Sequence, residues 1–170
     1  AAKSPLFKTP LLGHILRAID AKPVLRQQDN VGDKEERKKA NSGLIDTLSS
    51  SVASGQRVAI FPEGISHTKA HPVKMRTGAA RILLDSIRKA DEMEKPRPHL
   101  VPIGLHYSDQ HQFRERVSLQ VNRRLTYPPL PGEEGALQPS SEELAEHGDL
   151  AHDRVWCEEM TNLLHTEIQR

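Results

Sequence analysis

The sequence predicts an α/β fold, a mixed sheet flanked by helices. Three observations predict it. Short β-rich runs alternate with longer helical patterns in the order strand, helix, strand, helix, strand. The run Val58-Ala59-Ile60-Phe61 ends abruptly in Pro62-Glu63-Gly64, a strand-to-loop junction of the kind where open α/β sheets place their ligands. The chain's 170 residues suffice for one core, and with 4% aromatic residues that core must be aliphatic.

The elements follow in order. Leu6, Phe7, Leu11, Leu12, Ile15, Leu16 and Ile19 recur at near-helical spacing, with Pro10 and Gly13 predicting a short or broken helix. Its apolar side is expected in the core, with a membrane surface as the alternative. Residues 22–26, Lys-Pro-Val-Leu-Arg, read as a short strand ending in a cation. Asp33 is placed to cap a helix running to about Ala53, with Glu36 in its acidic first turn. Leu44, Ile45, Leu48 and Val52 form its apolar face, and Gly55 stops it. Residues 57–61 form the next strand, and a polar loop spans about 66–74. Thr77 opens a helix to about Met93, with Ala80, Leu83, Leu84 and Ile87 facing inward. Pro96 and Pro98 break the chain.

Residues 99–105 read as another strand, although Pro102 is awkward in a central one. Val117, Leu119 and Val121 alternate as in a half-buried strand. Residues 127–139 hold four prolines and two glycines and read as a connector. Ser140 with Glu143 carries a capping-box signature. A helical stretch over about 141–169 is interrupted near Gly148, with Val155, Met160, Leu163, Leu164 and Ile168 as its packed stripe. The expected organisation is a domain over residues 1–126, a connector over 127–139 and an acidic helical segment over 140–170.

Charge divides along the chain. Residues 1–130 carry 22 Lys/Arg against 13 Asp/Glu, a balance of +9; residues 131–170 carry 2 against 10, a balance of −8. A basic body suits anionic partners. Base stacking is poorly served by three Phe, two Tyr and one Trp, so a nucleic-acid partner is not expected. Cys157 is the single cysteine and forms no intrachain disulfide. No apolar run approaches the roughly 18 residues of a membrane span. The His67…His71 and His106…His111 pairs lack Cys or carboxylate companions at ligand spacing, so no metal is expected.

The most specific string is Phe61-Pro62-Glu63-Gly64-Ile65-Ser66-His67, followed by Val73-Lys74-Met75-Arg76-Thr77-Gly78-Ala79-Ala80-Arg81. It resembles the PlsC-like glycerol-phosphate acyltransferase superfamily, in which a Phe-Pro-Glu-Gly block precedes a Lys-x-Gly pattern opening a helix. Lys74 and Gly78 stand in similar places at a wider spacing, with Arg76-Thr77 between them. Pro23-Val24-Leu25-Arg26 looks like the block ending in a phosphate-binding arginine, and Leu100 to Leu105 like the last, proline-containing strand. His106-Tyr107 and His111 to Val117 are similar to the eukaryotic-type branch. The blocks keep the family's order over roughly residues 6–125.

The resemblance implies transfer of a fatty acyl group from acyl-CoA or acyl-carrier protein to glycerol 3-phosphate or lysophosphatidate in phospholipid synthesis. It implies no cofactor beyond that co-substrate, and action on the cytoplasmic side of a membrane. Arg26 would hold phosphate oxygens in a fork. Gly64 would let backbone approach the ligand. Glu63 would bind acceptor hydroxyls or order a basic neighbour, Ser66 would supply a donor, and Lys74 and Arg76 would add positive field beside Gly78. The plain alternative makes Arg26, Lys74 and Arg76 ordinary surface cations.

The family's catalytic signature, Asn-His-x-x-x-x-Asp, has no match. None of the nine histidines has Asp five residues later, and His14–Asp20 and His147–Asp153 are spaced by six. In the family the signature precedes the arginine block, so it is expected before Ala1, and catalytic residues are expected to be absent from this chain. A non-catalytic phosphate- or phospholipid-binding module on the same scaffold is the alternative.

Overall fold

The computed structural model describes residues 2–3, 9–18, 23–24, 34–65, 71–109 and 116–169. Helices and short strands mix along the chain: β1 (Ala2–Lys3), α1 (Pro10–Ala18), β2 (Pro23–Val24), α2 (Lys34–Ala53), α3 (Gly78–Glu92), β3 (Ile103–Tyr107), β4 (Val117–Val121), α4 (Ser141–His147) and α5 (Leu150–Ile168). β1 pairs with β2 in parallel, and β3 pairs with β4 antiparallel. This is the α/β mixture that the sequence predicts.

Pro10 does not break α1 but begins it. At the first helical position its missing N–H would have had no partner, and its fixed φ suits the helix. The expected burial of this segment is not seen at Leu12 and Ile15, which are exposed. α2 runs to the expected Gly55, whose φ is +97°. Its N–H donates to Val52 O at 2.9 Å and that of Gln56 to Ser51 O at 3.0 Å, which closes a Schellman cap.

α3 is central, packing against both α2 and α5. Its four predicted inward residues, Ala80, Leu83, Leu84 and Ile87, are all buried. They meet Trp156, Cys157 and Met160 of α5, and Leu130 of the connector. Here the sequence reading is corrected. The α5 stripe is Ala151, Trp156, Cys157, Met160, Thr161 and Leu164, while Leu163 is exposed and Val155 and Ile168 are only half-buried. The break at Gly148 starts α5 afresh at Leu150, which sets its phase independently of α4. α4 carries the predicted capping box, with both reciprocal Ser140–Glu143 bonds present.

α3 ends in a second Schellman cap, formed by Lys95 N–H to Ala90 O at 2.8 Å and Glu94 N–H to Asp91 O at 3.0 Å. Here the left-handed position is taken by Glu94, at φ +54°, instead of glycine. A Cβ in that region costs about 1–2 kcal/mol, more than glycine's extra chain entropy of roughly 0.5–1 kcal/mol. Glu94→Gly is therefore expected to stabilise the protein by about 0.5–1 kcal/mol. Urea unfolding would show it as a higher midpoint; a lower one would mean that the Glu94 side chain holds something that outweighs the strain.

Two strand expectations are corrected. Residues 57–61 join no ladder. Val58 and Ile60 are half-buried and Arg57, Ala59 and Phe61 exposed, so the alternation is real but no strand among the described residues pairs with it. The strand expected at 99–105 begins instead at Ile103, just past Pro102, which has no N–H to give a ladder. The ribbon still closes around the proline, through Asn122 N–H to Pro102 O at 3.0 Å and Leu125 N–H to Leu100 O at 2.9 Å. Val117, Leu119 and Val121 are exposed rather than half-buried. They lie opposite Tyr107, Leu105 and Ile103 on one face of the two-stranded ribbon.

Candidate functional site

The Phe61-Pro62-Glu63-Gly64 segment folds as a tight turn, with Gly64 N–H donating to Phe61 O at 3.3 Å. Gly64 has φ +67°, a conformation that a side chain would strain. The chain returns to this turn twelve residues later. Met75 is buried and anchors the returning segment. Arg76 N–H then donates to Pro62 O at 2.9 Å. A Cβ built on Gly64 would lie 3.1 Å from Arg76 Cδ and 3.2 Å from its Nε. The arginine stem therefore lies across the face of the glycine.

This placement sorts the residues picked out by sequence. Gly64 and Arg76 are in contact, and Glu63 sits half-buried between Pro62 and Gly64 in the same turn. Lys74 is exposed on the approach to Met75 and is not the cation seated on the turn; Arg76 is. Gly64's openness is filled by that stem and is not left as a gap for a ligand. Gly78 begins α3, and a Cβ there would meet nothing within 4 Å, so no steric crowding requires glycine. Arg26, Ser66, His67 and His111, like the capping Asp33, lie outside the described residues. Among the described residues no three His, Cys, Asp or Glu side chains are grouped to hold a metal ion. No described helix is long and apolar enough to cross a membrane.

The sequence reading missed a second feature. Thr77, next to Arg76, lies at the edge of an open cleft of about 670 Å³ between α3 and the α4–α5 pair. Arg81, Leu84 and Asp85 line one side; His147, Leu150, Asp153, Arg154, Cys157 and Glu158 line the other. Asp153, Arg154 and Glu158 are held in ion pairs. Arg88 donates to both Asp153 oxygens, at 2.7 and 2.6 Å, and this bond raises the guanidinium's pKa. Arg154 bonds Glu158 and contacts Nε2 of His147. Burial lifts the Asp85 carboxyl above its usual range, against the opposing pull of Arg88, Lys89 and Arg81. Burial also pushes the Cys157 thiol up to about 12, so it stays protonated at neutral pH and is a poor nucleophile. No local motif signals this cleft, because its two walls come from segments some 65 residues apart.

The six-spaced His147–Asp153 pair falls in this cleft but is no relay. Both Asp153 oxygens are occupied by Arg88, and His147 Nε2 faces Arg154. His14 Nδ1 is engaged with Pro10 O at 2.6 Å.

Comparison with known proteins matches residues 1–106 to the model of a family described as Acyltransferase. A fission yeast (Schizosaccharomyces pombe) protein described as an uncharacterized acyltransferase is 29% identical over 77 residues, which is 45% of this chain. The match spans 11% of that relative's length. No solved structure matches. With the Pro-Glu-Gly turn and the seated Arg76 both inside the matched region, the chain belongs to the Acyltransferase family.

Proposed function

We propose that this chain forms the acceptor side of a glycerol-phosphate acyltransferase. A fatty acyl group passes from acyl-CoA or acyl-carrier protein to a hydroxyl of glycerol 3-phosphate or lysophosphatidate. The observation that supports this best is the Pro62-Glu63-Gly64 turn joined to Arg76 at the mouth of α3, within the matched family region. In the reaction the acceptor oxygen attacks the thioester carbonyl, the new C–O bond forms, the C–S bond breaks, and the proton of the hydroxyl ends on the released thiol. Glu63 is assigned to the acceptor's hydroxyls, and Lys74 adds positive potential at a distance. Arg26, Ser66 and Gly78 complete the acceptor side by their place in the motif blocks. The setting is phospholipid synthesis at the cytoplasmic face of a membrane.

A general base must take the hydroxyl proton, and these 170 residues hold no His followed by Asp at the family's spacing. The reading therefore has this chain bind the acceptor but transfer slowly. Losing a general base costs about 10²–10⁴ in rate. The test is acyl transfer from labelled acyl-CoA and acyl-carrier protein to both acceptors. It compares this chain with a form of the protein carrying residues before Ala1. Transfer in the longer form, reduced about 10²–10⁴-fold in the shorter, is the expected result. Full activity in this chain alone would overturn the missing-base reading. Acceptor binding without transfer in either form would favour the non-catalytic phosphate-binding module.

A further inference from the structure

We propose that the β3–β4 ribbon is a membrane dock: its apolar face enters the interface of an anionic bilayer, and the arginines at the two ends of β4 meet the headgroups. The proposal rests on the membrane setting read above and names the surface that makes the contact. Ile103, Leu105 and Tyr107 lie opposite Val121, Leu119 and Val117, so these six side chains share one face. Each of them is between 42% and 62% exposed. Val101, also exposed, extends the row toward the base of the ribbon. The opposite face carries Gly104, His106, Ser118 and Gln120. An antiparallel sheet with one wet face normally turns its apolar side to the core and its polar side to water. Here the apolar side is left outward, and the ribbon is held by its base instead. Leu100 and Leu125 pack against the core around Trp156, Pro102 is buried, and Asn122 Nδ2 donates to Glu167 O of α5 at 2.8 Å. Only a one-residue slip of register would exchange the two faces.

A contiguous outward apolar patch marks a surface that meets something other than water. Charge decides what that is. Residues 99–108 and 116–125 contain no Asp or Glu. Arg116 precedes β4 and Arg123 follows it, and both are exposed; Arg124, beside them, is engaged with His99. Asn122 N–H donates to Pro102 O at 3.0 Å, which carries the ladder past β4 and sets Arg123 across from Val101, at the edge of the apolar row. Two copies packed face to face would bury their apolar rows, but neither ribbon has a carboxylate to offer the other's arginines. An anionic lipid surface suits both features at once. The aliphatic side chains enter the boundary of the hydrocarbon, and the guanidinium groups stay among the headgroup phosphates. Tyr107, exposed at the far end of β3, has the apolar ring and polar hydroxyl that favour this depth.

The test is co-sedimentation of the 170-residue chain with vesicles of phosphatidylcholine, alone or with roughly 30% phosphatidylserine. Wild type is expected to bind the mixed vesicles more tightly, and added salt should narrow the difference. Leu105→Thr/Leu119→Thr keeps strand-forming residues at exposed positions and should weaken binding about 10- to 100-fold. Arg116→Gln/Arg123→Gln should weaken it about 10- to 30-fold and remove the preference for anionic lipid. Gln120→Thr, on the opposite face, should bind like wild type. In Tyr107→Trp the new indole should be quenched by lipids with brominated chains, while Trp156, 1% exposed, stays unquenched in the wild type. Failure to bind either vesicle, or binding indifferent to the leucine pair, would overturn the dock. So would a lipid-free dimer that the leucine pair dissolves, which would assign the face to a second copy. Ribbon-dependent vesicle binding in a protein whose longer form transfers no acyl group would sink the acyltransferase reading and leave the dock standing. Acyl transfer to glycerol 3-phosphate without vesicle binding would do the reverse.

Discussion

Trp156→Ala is expected to cost about 3–5 kcal/mol of stability, as large aromatic truncations in closed cores do. Trp156 is 1% exposed and lies among Ala80, Leu83, Leu84 and Ile87 of α3, Leu130 of the connector, and Cys157 and Met160 of its own helix. It also ties down the proline-rich connector. Its indole N–H donates to Pro128 O at 3.1 Å, and Tyr127 packs against it with ring centroids 6.3 Å apart and planes at 58°. Loss of the indole thus opens a cavity at the α3–α5 seam and frees the segment that crosses it. Trp156→Phe separates the effects. It keeps most of the apolar volume and removes the hydrogen bond, so about 1 kcal/mol of its cost belongs to that bond. Urea unfolding of the two variants would read both costs. A Trp156→Ala cost below about 1.5 kcal/mol would mean that α5 rests on the rest of the protein without sharing its cooperative core.

The parts of the fold that were legible in the sequence are those governed by nearby residues. The ends of α2 and α3, the inward face of α3, the Ser140–Glu143 capping box and the break at Gly148 depend on spacings of three to five residues and on single glycines. The strands were less legible because a strand needs a partner that its own sequence does not name. Val58 and Ile60 alternate as they should, yet residues 57–61 find no pairing strand among the described residues, and β3 slides past Pro102 for want of one N–H. The α5 stripe was missed in phase, with Trp156 and Cys157 overlooked, because the helix restarts after Gly148. For the site, the motif drew attention to Gly64, Lys74 and Arg76 together. Only the fold could show that the chain doubles back to lay Arg76, and not Lys74, on Gly64.

Lys89→Ala is expected to cost about 2 kcal/mol, through the seam between α2 and α3. The Lys89 ammonium shares its three N–H donors among four oxygens of α2: Asp46 O at 3.1 Å, Asp46 Oδ1 at 2.6 Å, Ser49 Oγ at 2.8 Å and Ser50 Oγ at 2.8 Å. Exposure decides which of these matters. The Asp46 side chain is 74% exposed, so its ion pair lies in a high-dielectric, screened setting and contributes at most about 1 kcal/mol. Ser49 is fully buried, and the lysine side chain is only 26% exposed. Ser50 and Asp46 are exposed, so the sheltered bond is the one to Ser49, and a hydrogen bond from a charged donor to a sheltered oxygen contributes roughly 1.5–3 kcal/mol. Asp46→Asn should therefore cost well under half of what Lys89→Ala does, and added salt should change the Lys89→Ala cost little. Lys89→Met retains the apolar stem and should still lose most of the stability, which would assign the loss to the ammonium. Equal costs for Asp46→Asn and Lys89→Ala, both falling away in high salt, would show instead that a surface ion pair holds these two helices together. The Lys89 seam fixes α3 against α2, and α3 begins two residues after Arg76. A loosened seam should thus also be felt as weaker seating of Arg76 on Gly64.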